Sequence, residues 1–184
     1  MTRIFTERLV IRSLNRCDID DVYDIMSDVE TARDADFAPM ESLNDAESLI
    51  RHSDDYSFRV FGICEKGSDK VIGLIQAVLL WESELFDATV GYLLSKDFRR
   101  RGYMTEVLDA LCDVLFNEEG FDRLFITLLP TNEASLGVAQ GVGFTYVEED
   151  EANKELQCTD LRPLDRYVLS WWSWAERHPH RDVA

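Results

Sequence analysis

Residues 89–104, TVGYLLSKDFRRRGYM, run from an apolar strand through a short basic loop into the start of a helix. A helix opens with backbone amides that have no carbonyl partner, and its dipole adds partial positive charge at that end. Gly102 lets a phosphate come close to this backbone, and Arg99, Arg100 and Arg101 bring charge beside it. These arginines are the only run of three basic residues in a chain with 19 Lys and Arg against 36 Asp and Glu. The stretch therefore predicts an anion site at the end of a strand. It has neither the GK[ST] of a P-loop nor the third glycine of a dinucleotide fingerprint, which disfavours ATP and NAD. Gly91, inside the strand, marks either a close ligand approach or a packing glycine.

On the C-terminal side, Val107, Leu108, Leu111, Cys112 and Leu115 keep a helical spacing that Gly120 stops. Residues 123–129 read as a buried strand ending at Pro130, and 132–141 as a second helix. Residues 144–147 and 166–172 are the last two expected strands, with an acid-rich loop between them. On the N-terminal side, residues 8–14 (RLVIRSL) alternate as a half-buried strand does, and 18–26 place Ile19, Val22, Tyr23 and Met26 on one helical face. Residues 27–42, with Pro39, read as a loop or broken helix, and Asn44 can cap a helix to His52. Strands are expected at 57–65 and 71–81, joined by the hairpin turn KGSD (66–69), and at 86–94, broken by Gly91. The pattern is that of an α/β fold: one domain over residues 1–175, a mixed, mostly antiparallel sheet of six to seven strands, helices on both faces, and a flexible tail at 176–184.

Composition narrows the function. With 184 residues, 46% of them hydrophobic, the chain can bury one core. A net charge of −17 repels nucleic acid and attracts cationic amines, although a salt-tolerant host would produce the same acidity. The four cysteines have neither disulfide nor zinc spacing, Cys64 and Cys112 falling in apolar segments. The longest apolar run, 71–81, is about half of the ~20 residues that cross a bilayer, and the first residues lack a secretory apolar region. A cytoplasmic protein with no membrane partner and no metal is expected. His52, His178 and His180 form no catalytic set. Trp171, Trp172 and Trp174 suit a last strand paired across a homodimer, or simply a wide core.

Asn132-Glu-Ala-Ser135, after Pro130, places an N-cap residue and a serine on the same side of a helix's first turn. Taken together, FRRRGY at 98–103 and the block from Asn132 to Gly143 and Phe144 resemble the GNAT superfamily of N-acetyltransferases. The first is similar to the family's acetyl-CoA pyrophosphate motif, Arg/Gln-x-x-Gly-x-Gly/Ala, and the order of elements matches over residues 8–172. Ser135, with Ala139 where many members carry an acidic tyrosine, resembles the RimJ/RimL type, which acetylates protein N-termini, notably of ribosomal proteins.

The resemblance implies direct transfer of an acetyl group from acetyl-CoA to a primary amine, of a protein N-terminus or a small molecule. It assigns cofactor binding to Tyr92, Leu93 and Leu94 on a bulged strand, to Arg99, Arg100, Arg101, Gly102, Tyr103, Met104 and Thr105, and to Asn132 and Ser135. Asn132 would hold the pantetheine arm or a water, and Ser135 would donate a proton to the sulfur. Glu82, Glu84 and Asp87 are the candidate bases. Phe37 on the 27–42 loop, Trp81 and the acidic loop 148–164 are the candidate acceptor walls. Two residues depart from the pattern: Met104 replaces a usual Gly or Ala, and Thr89 a frequent glutamate. They leave open a catalytically weak or inactive CoA-binding or peptide-binding module of the same fold. A third reading is a plain interaction protein using the acidic face and the Trp-rich end.

Overall fold

Nine strands form one mixed sheet in the computed structural model, which describes residues 3–81, 83–149 and 164–179. In chain order they are β1 (Arg3–Phe5), β2 (Leu9–Ser13), β3 (Asp54–Asp55), β4 (Phe58–Glu65), β5 (Val71–Leu80), β6 (Asp87–Leu94), β7 (Arg123–Leu128), β8 (Thr145–Glu149) and β9 (Asp165–Ser170). The helices are α1 (Ile19–Met26), α2 (Val29–Asp34), α3 (Leu43–His52), α4 (Tyr103–Asp113), α5 (Glu133–Val142) and α6 (Trp171–Arg177). The strands lie in the order β1-β2-β4-β5-β6-β7-β9-β8, with β3 beside β4. The pairs along this path are antiparallel except β6 and β7. A parallel pair cannot be closed by a tight turn and needs a crossover, which α4 supplies.

Alternation along the strands divides the core in two. On one face Ala88, Val90 and Leu94 of β6 pack with Val107, Leu108 and Leu111 of α4 and Trp174 of α6. On the other, Val60, Cys64 and Leu74 meet Val22 and Ile25 of α1, with Ala46 of α3. Helices thus cover both faces, as the sequence pattern predicts. The strand number exceeds six to seven because β1 and β3 are three and two residues long, too short to display a period of two.

Other expectations are corrected. Ser42, not Asn44, is the N-cap of α3: its amide donates to the Asp45 carboxylate at 2.9 Å, and Asn44 lies inside the first turn. The 27–42 segment is a broken helix, α2 ending at Asp34. Gly91 does not break β6, which pairs with β5 in unbroken register from Asp87 to Leu94, without a bulge. A Cβ at Gly91 would stand 2.8 Å from Nε2 of Gln76 on β5, so this glycine makes room for a neighbouring side chain. The final strand stops at Ser170, whose hydroxyl accepts the Ser173 amide at 3.3 Å and starts α6. Trp171 and Trp172 are therefore helical, and Trp174, 1% exposed, belongs to the core and not to a strand pairing across a dimer. Because α6 extends to Arg177, ordered structure passes the expected boundary at residue 175, with His178 stacked on Trp174. His180, the remaining tail and Cys158 lie outside the described residues.

Candidate active site

The parallel ladder of β6 and β7 runs from Asp87 opposite Arg123 to Thr89 opposite Phe125 and stops there. Past that point one backbone edge of β6 has no strand partner among the described residues. The gap becomes a cleft of about 550 Å³, lined by Tyr92, Leu93 and Leu94 of β6, the start of α4, the first turns of α5, and Thr31, Asp34 and Ala35 at α2. Sequence-predicted residues 92–94, 99, 100, 102–105, 132 and 135 all line this one space. Arg101 does not.

Gly102 is the N-cap of α4 at φ 74°, a left-handed conformation suited to glycine, and Arg100 takes φ 61° two residues earlier. This double reversal turns the loop from β6 into the helix and leaves the first-turn amides at the cleft. The three arginines have separate tasks. Arg99 donates to the Leu94 carbonyl at 3.0 Å and to Thr31 Oγ1 at 2.9 Å, and pairs with Asp34 at 3.1 Å, tying the end of β6 to α2. Arg101 donates to the Asp97 carbonyl at 2.7 Å and lies over the Phe98 ring. Among the described residues only Arg100 of the three has neither hydrogen bond nor ion pair. Its guanidinium is the one available to an incoming anion.

Asn132 caps α5, its Oδ1 accepting the Ser135 amide at 3.0 Å while its Nδ2 donates to the Asp34 carbonyl at 2.7 Å. Both ends of that amide are committed, so Asn132 shapes the cleft as a bracket between α5 and α2. The Tyr92 hydroxyl donates to the Ser135 carbonyl at 3.0 Å, bridging β6 and α5. Burial pushes the Tyr92 phenol far above its ordinary range and keeps it protonated. Met104 is buried with the α4 core while bordering the cleft, and Ala139 is wholly buried.

Of the expected bases, Glu84 and Asp87 do not line this cleft. Asp87, 1% exposed, accepts from Arg123 at 2.6 Å and from the Ser83 hydroxyl at 2.6 Å. Burial would raise its carboxyl, but these two donors together with the charges of Arg123 and Arg166 outweigh burial and hold it low. Glu84 is exposed beside this far end of β6, and Glu82 lies outside the described residues. Seven residue steps at about 3.3 Å each put Asp87 roughly 23 Å along the strand from Leu94. Trp81 sits at the same far end, 71% exposed and tilted against Tyr56, and is no wall of the cleft. Phe37 is half-buried, its amide bonded to the Ala32 carbonyl at 3.0 Å, and does not line the cleft either. Residues 150–163 of the acidic loop are outside the described residues. Asp34 is the sole carboxylate among the described lining residues, held by Arg99 and Arg33.

Sequence reasoning missed Thr6, Arg8 and Glu106, which brace the loop from behind. Glu106 accepts from Thr6 Oγ1, from the Arg8 amide at 2.8 Å and from Arg8 Nε at 2.7 Å. Burial alone would raise the Glu106 carboxyl, and these donors together lower it. Nothing in the sequence pairs positions 98 apart. Among the described residues, no group of three or more His, Cys, Asp or Glu could hold a metal, and no helix is long and apolar enough to cross a membrane.

Comparison with known proteins bears on this geometry. Residues 8–145 match the family described as acetyltransferase (GNAT) domain. The uncharacterized N-acetyltransferase p20 of Bacillus licheniformis is 24% identical, over 92% of this chain and 96% of the relative. The solved structure of RimL, a ribosomal L7/L12 α-N-protein acetyltransferase in complex with coenzyme A, is similar at a TM-score of 0.79 and 16% identity, over 91% of this chain and 97% of that one. Spermidine N-acetyltransferase from Vibrio cholerae, in complex with CoA and spermine, is similar at 0.76 and 14% identity, over 90% and 97%.

Proposed function

This chain belongs to the GNAT acetyltransferase family, and from that premise we propose that it transfers an acetyl group from acetyl-CoA to a primary amine, as the RimJ/RimL type does. One observation carries the reading: the partnerless edge of β6 leads straight to the unpaired Arg100 and to the left-handed Gly102 that opens α4. The residues present suit a diphosphate joined to an extended amide-bearing arm. Free amides and a guanidinium await the phosphates, and a strand edge awaits the arm.

When bound, acetyl-CoA supplies the acetyl group as a thioester: the acceptor nitrogen's lone pair makes the N–C bond as the C–S bond breaks, one proton leaving nitrogen and one reaching sulfur. The chain's residues set this up. Amides of the first turn of α4 and Arg100 hold the anionic end, and the backbone of residues 92–94 holds the arm and orients the carbonyl. Ser135 offers its hydroxyl at the thiol end, with its backbone fixed by Asn132 and Tyr92. Asp34, the one carboxylate among the described lining residues, is already paired, and a proton passed there to water suits an acceptor that is partly neutral. The acidic surface favours a cationic acceptor, whether a peptide N-terminus or a small polyamine. RimL and the spermidine enzyme, named for those two acceptor types, share the fold.

The test is an acetyl-CoA turnover screen over peptides and small amines, read by free thiol. Turnover with an amine supports the proposal. Tight acetyl-CoA binding without turnover on any amine would favour the inactive binding module.

Two variants sharpen the assignment. Arg100→Ala should weaken acetyl-CoA binding about tenfold at low salt and less at high salt. Arg101→Ala should matter less, since its guanidinium is turned away. Calorimetric titration checks both, and unchanged affinity in Arg100→Ala would remove the loop from the site. Ser135→Ala should lower turnover roughly tenfold, the value of one hydrogen bond, with affinity nearly constant. Equal losses in kcat and affinity would make the serine a packing residue.

A further inference from the structure

The phosphate-facing loop is held by a side chain outside the cleft. Arg8, in the turn between β1 and β2, donates through Nη1 to the carbonyl of Arg101 at 2.9 Å. Its Nε donates to Glu106 Oε2 at 2.7 Å, and Nη2 pairs with the same oxygen at 2.7 Å. Its guanidinium lies over the Tyr103 ring, 4.7 Å from the centroid. Its backbone is fixed on both sides: the Arg8 amide donates to Glu106 at 2.8 Å, and its carbonyl accepts the Lys66 amide at 2.9 Å. Glu106 is itself on the first turn of α4, so the fork joins the loop and the helix that follows it.

The carbonyl of Arg101 and the amide of Gly102 belong to one trans peptide, in which C=O and N–H point in opposite directions. Whatever draws the carbonyl towards the β1–β2 turn aims the amide the other way. We propose that Arg8 is a positioning residue for acetyl-CoA: by holding the Arg101 carbonyl it turns the Gly102 N–H into the cleft as a preset phosphate donor. The inference rests on the proposed acetyl-CoA reading and adds a residue to it.

Geometry separates this role from a general charge effect. A lysine would keep the positive charge but lacks the planar fork that reaches Glu106 and a carbonyl together. Glu106 fixes the fork's angle, so Glu106→Gln should reproduce part of the Arg8 phenotype. Gly102 carries no side chain to restrict its backbone, so the peptide is free to rotate once Arg8 lets go.

The experiment compares two probes: CoA, which carries the diphosphate, and pantetheine, which lacks it. Binding to the wild-type chain and to Arg8→Ala, Arg8→Lys and Glu106→Gln is followed by calorimetry for CoA and by amide NMR for pantetheine. Melting temperatures select the variants that remain folded. Arg8→Ala and Arg8→Lys should each weaken CoA about tenfold or more and leave pantetheine within about twofold. The Gly102 amide should shift on CoA addition in wild type and much less in the variants. Should Arg8→Ala fail to fold, Arg8→Lys decides. Parallel loss for both probes, or no loss for either, would overturn the positioning role. Failure of the wild-type chain to bind CoA would instead sink the acetyl-CoA reading itself.

Discussion

Gly102→Val is expected to raise the dissociation constant for acetyl-CoA by about a hundredfold or more, with Gly102→Ala intermediate. The cause is conformational. Gly102 sits at φ 74°, where an L-residue costs roughly 1–2 kcal/mol and a β-branched one more. Crowding is not the cause, since a Cβ would meet only Arg8 Nη2, at an ordinary 3.5 Å. Arg100 already occupies a left-handed conformation in the same loop, so a second strained residue has no slack to borrow. Valine would therefore move the turn into an extended form, taking the amides of Gly102 and Tyr103 off a common anion. Each 1.4 kcal/mol is a factor of ten, so losing two charge-assisted hydrogen bonds at about 1.5 kcal/mol each reaches the predicted size. Titration with acetyl-CoA checks this, with circular dichroism to show that the helix persists. Wild-type affinity in a folded Gly102→Val chain would mean that the diphosphate binds elsewhere.

What could be read in advance follows from the range of the interactions. Period-two runs such as RLVIRSL and the helical spacing from Val107 to Leu115 are local patterns, and β2 and α4 appear where those patterns put them. The end of β9 was hidden because Trp171 and Trp172 continue an apolar run, while the stop comes from Ser170 capping a helix. Sheet order, including the parallel step from β6 to β7, has no local signature at all. The cleft follows the same rule. The basic loop and its glycine are legible because they are consecutive residues. The bracket from Asn132 to Asp34, the strap from Arg99 to Thr31 and the brace from Arg8 to Glu106 each join distant positions, 98, 68 and 98 residues apart. Glu84, Asp87 and Trp81 lie near the start of β6, at the opposite end of that strand from Leu94 and the basic loop.

Arg12→Ala should destabilise the fold by about 3–5 kcal/mol, a large part of the roughly 5–15 kcal/mol that holds a domain this size together. Arg12 and Asp18 are paired at 2.7 Å with side chains only 9% and 4% exposed. The pairing is a fork, Arg12 Nη1 reaching the second carboxylate oxygen at 2.8 Å. Arg12 also donates to the Asp69 carbonyl at 2.8 Å, tying β2 to the turn between β4 and β5. Truncation therefore strands a buried carboxylate and loosens a hairpin, which is worse than never having had the pair. Asp18 has a second role, accepting from the Asn15 amide at 2.8 Å to start the turn before α1. Combining Arg12→Met with Asp18→Asn should accordingly recover stability, since no charge is left unpaired and the asparagine can still accept that amide. Urea unfolding of both variants measures this, and acetyl-CoA affinity per folded molecule should not change, because Arg12 does not border the cleft. If Arg12→Ala lost less than about 1 kcal/mol, water would have to reach Asp18, and the pair would count as an ordinary surface contact.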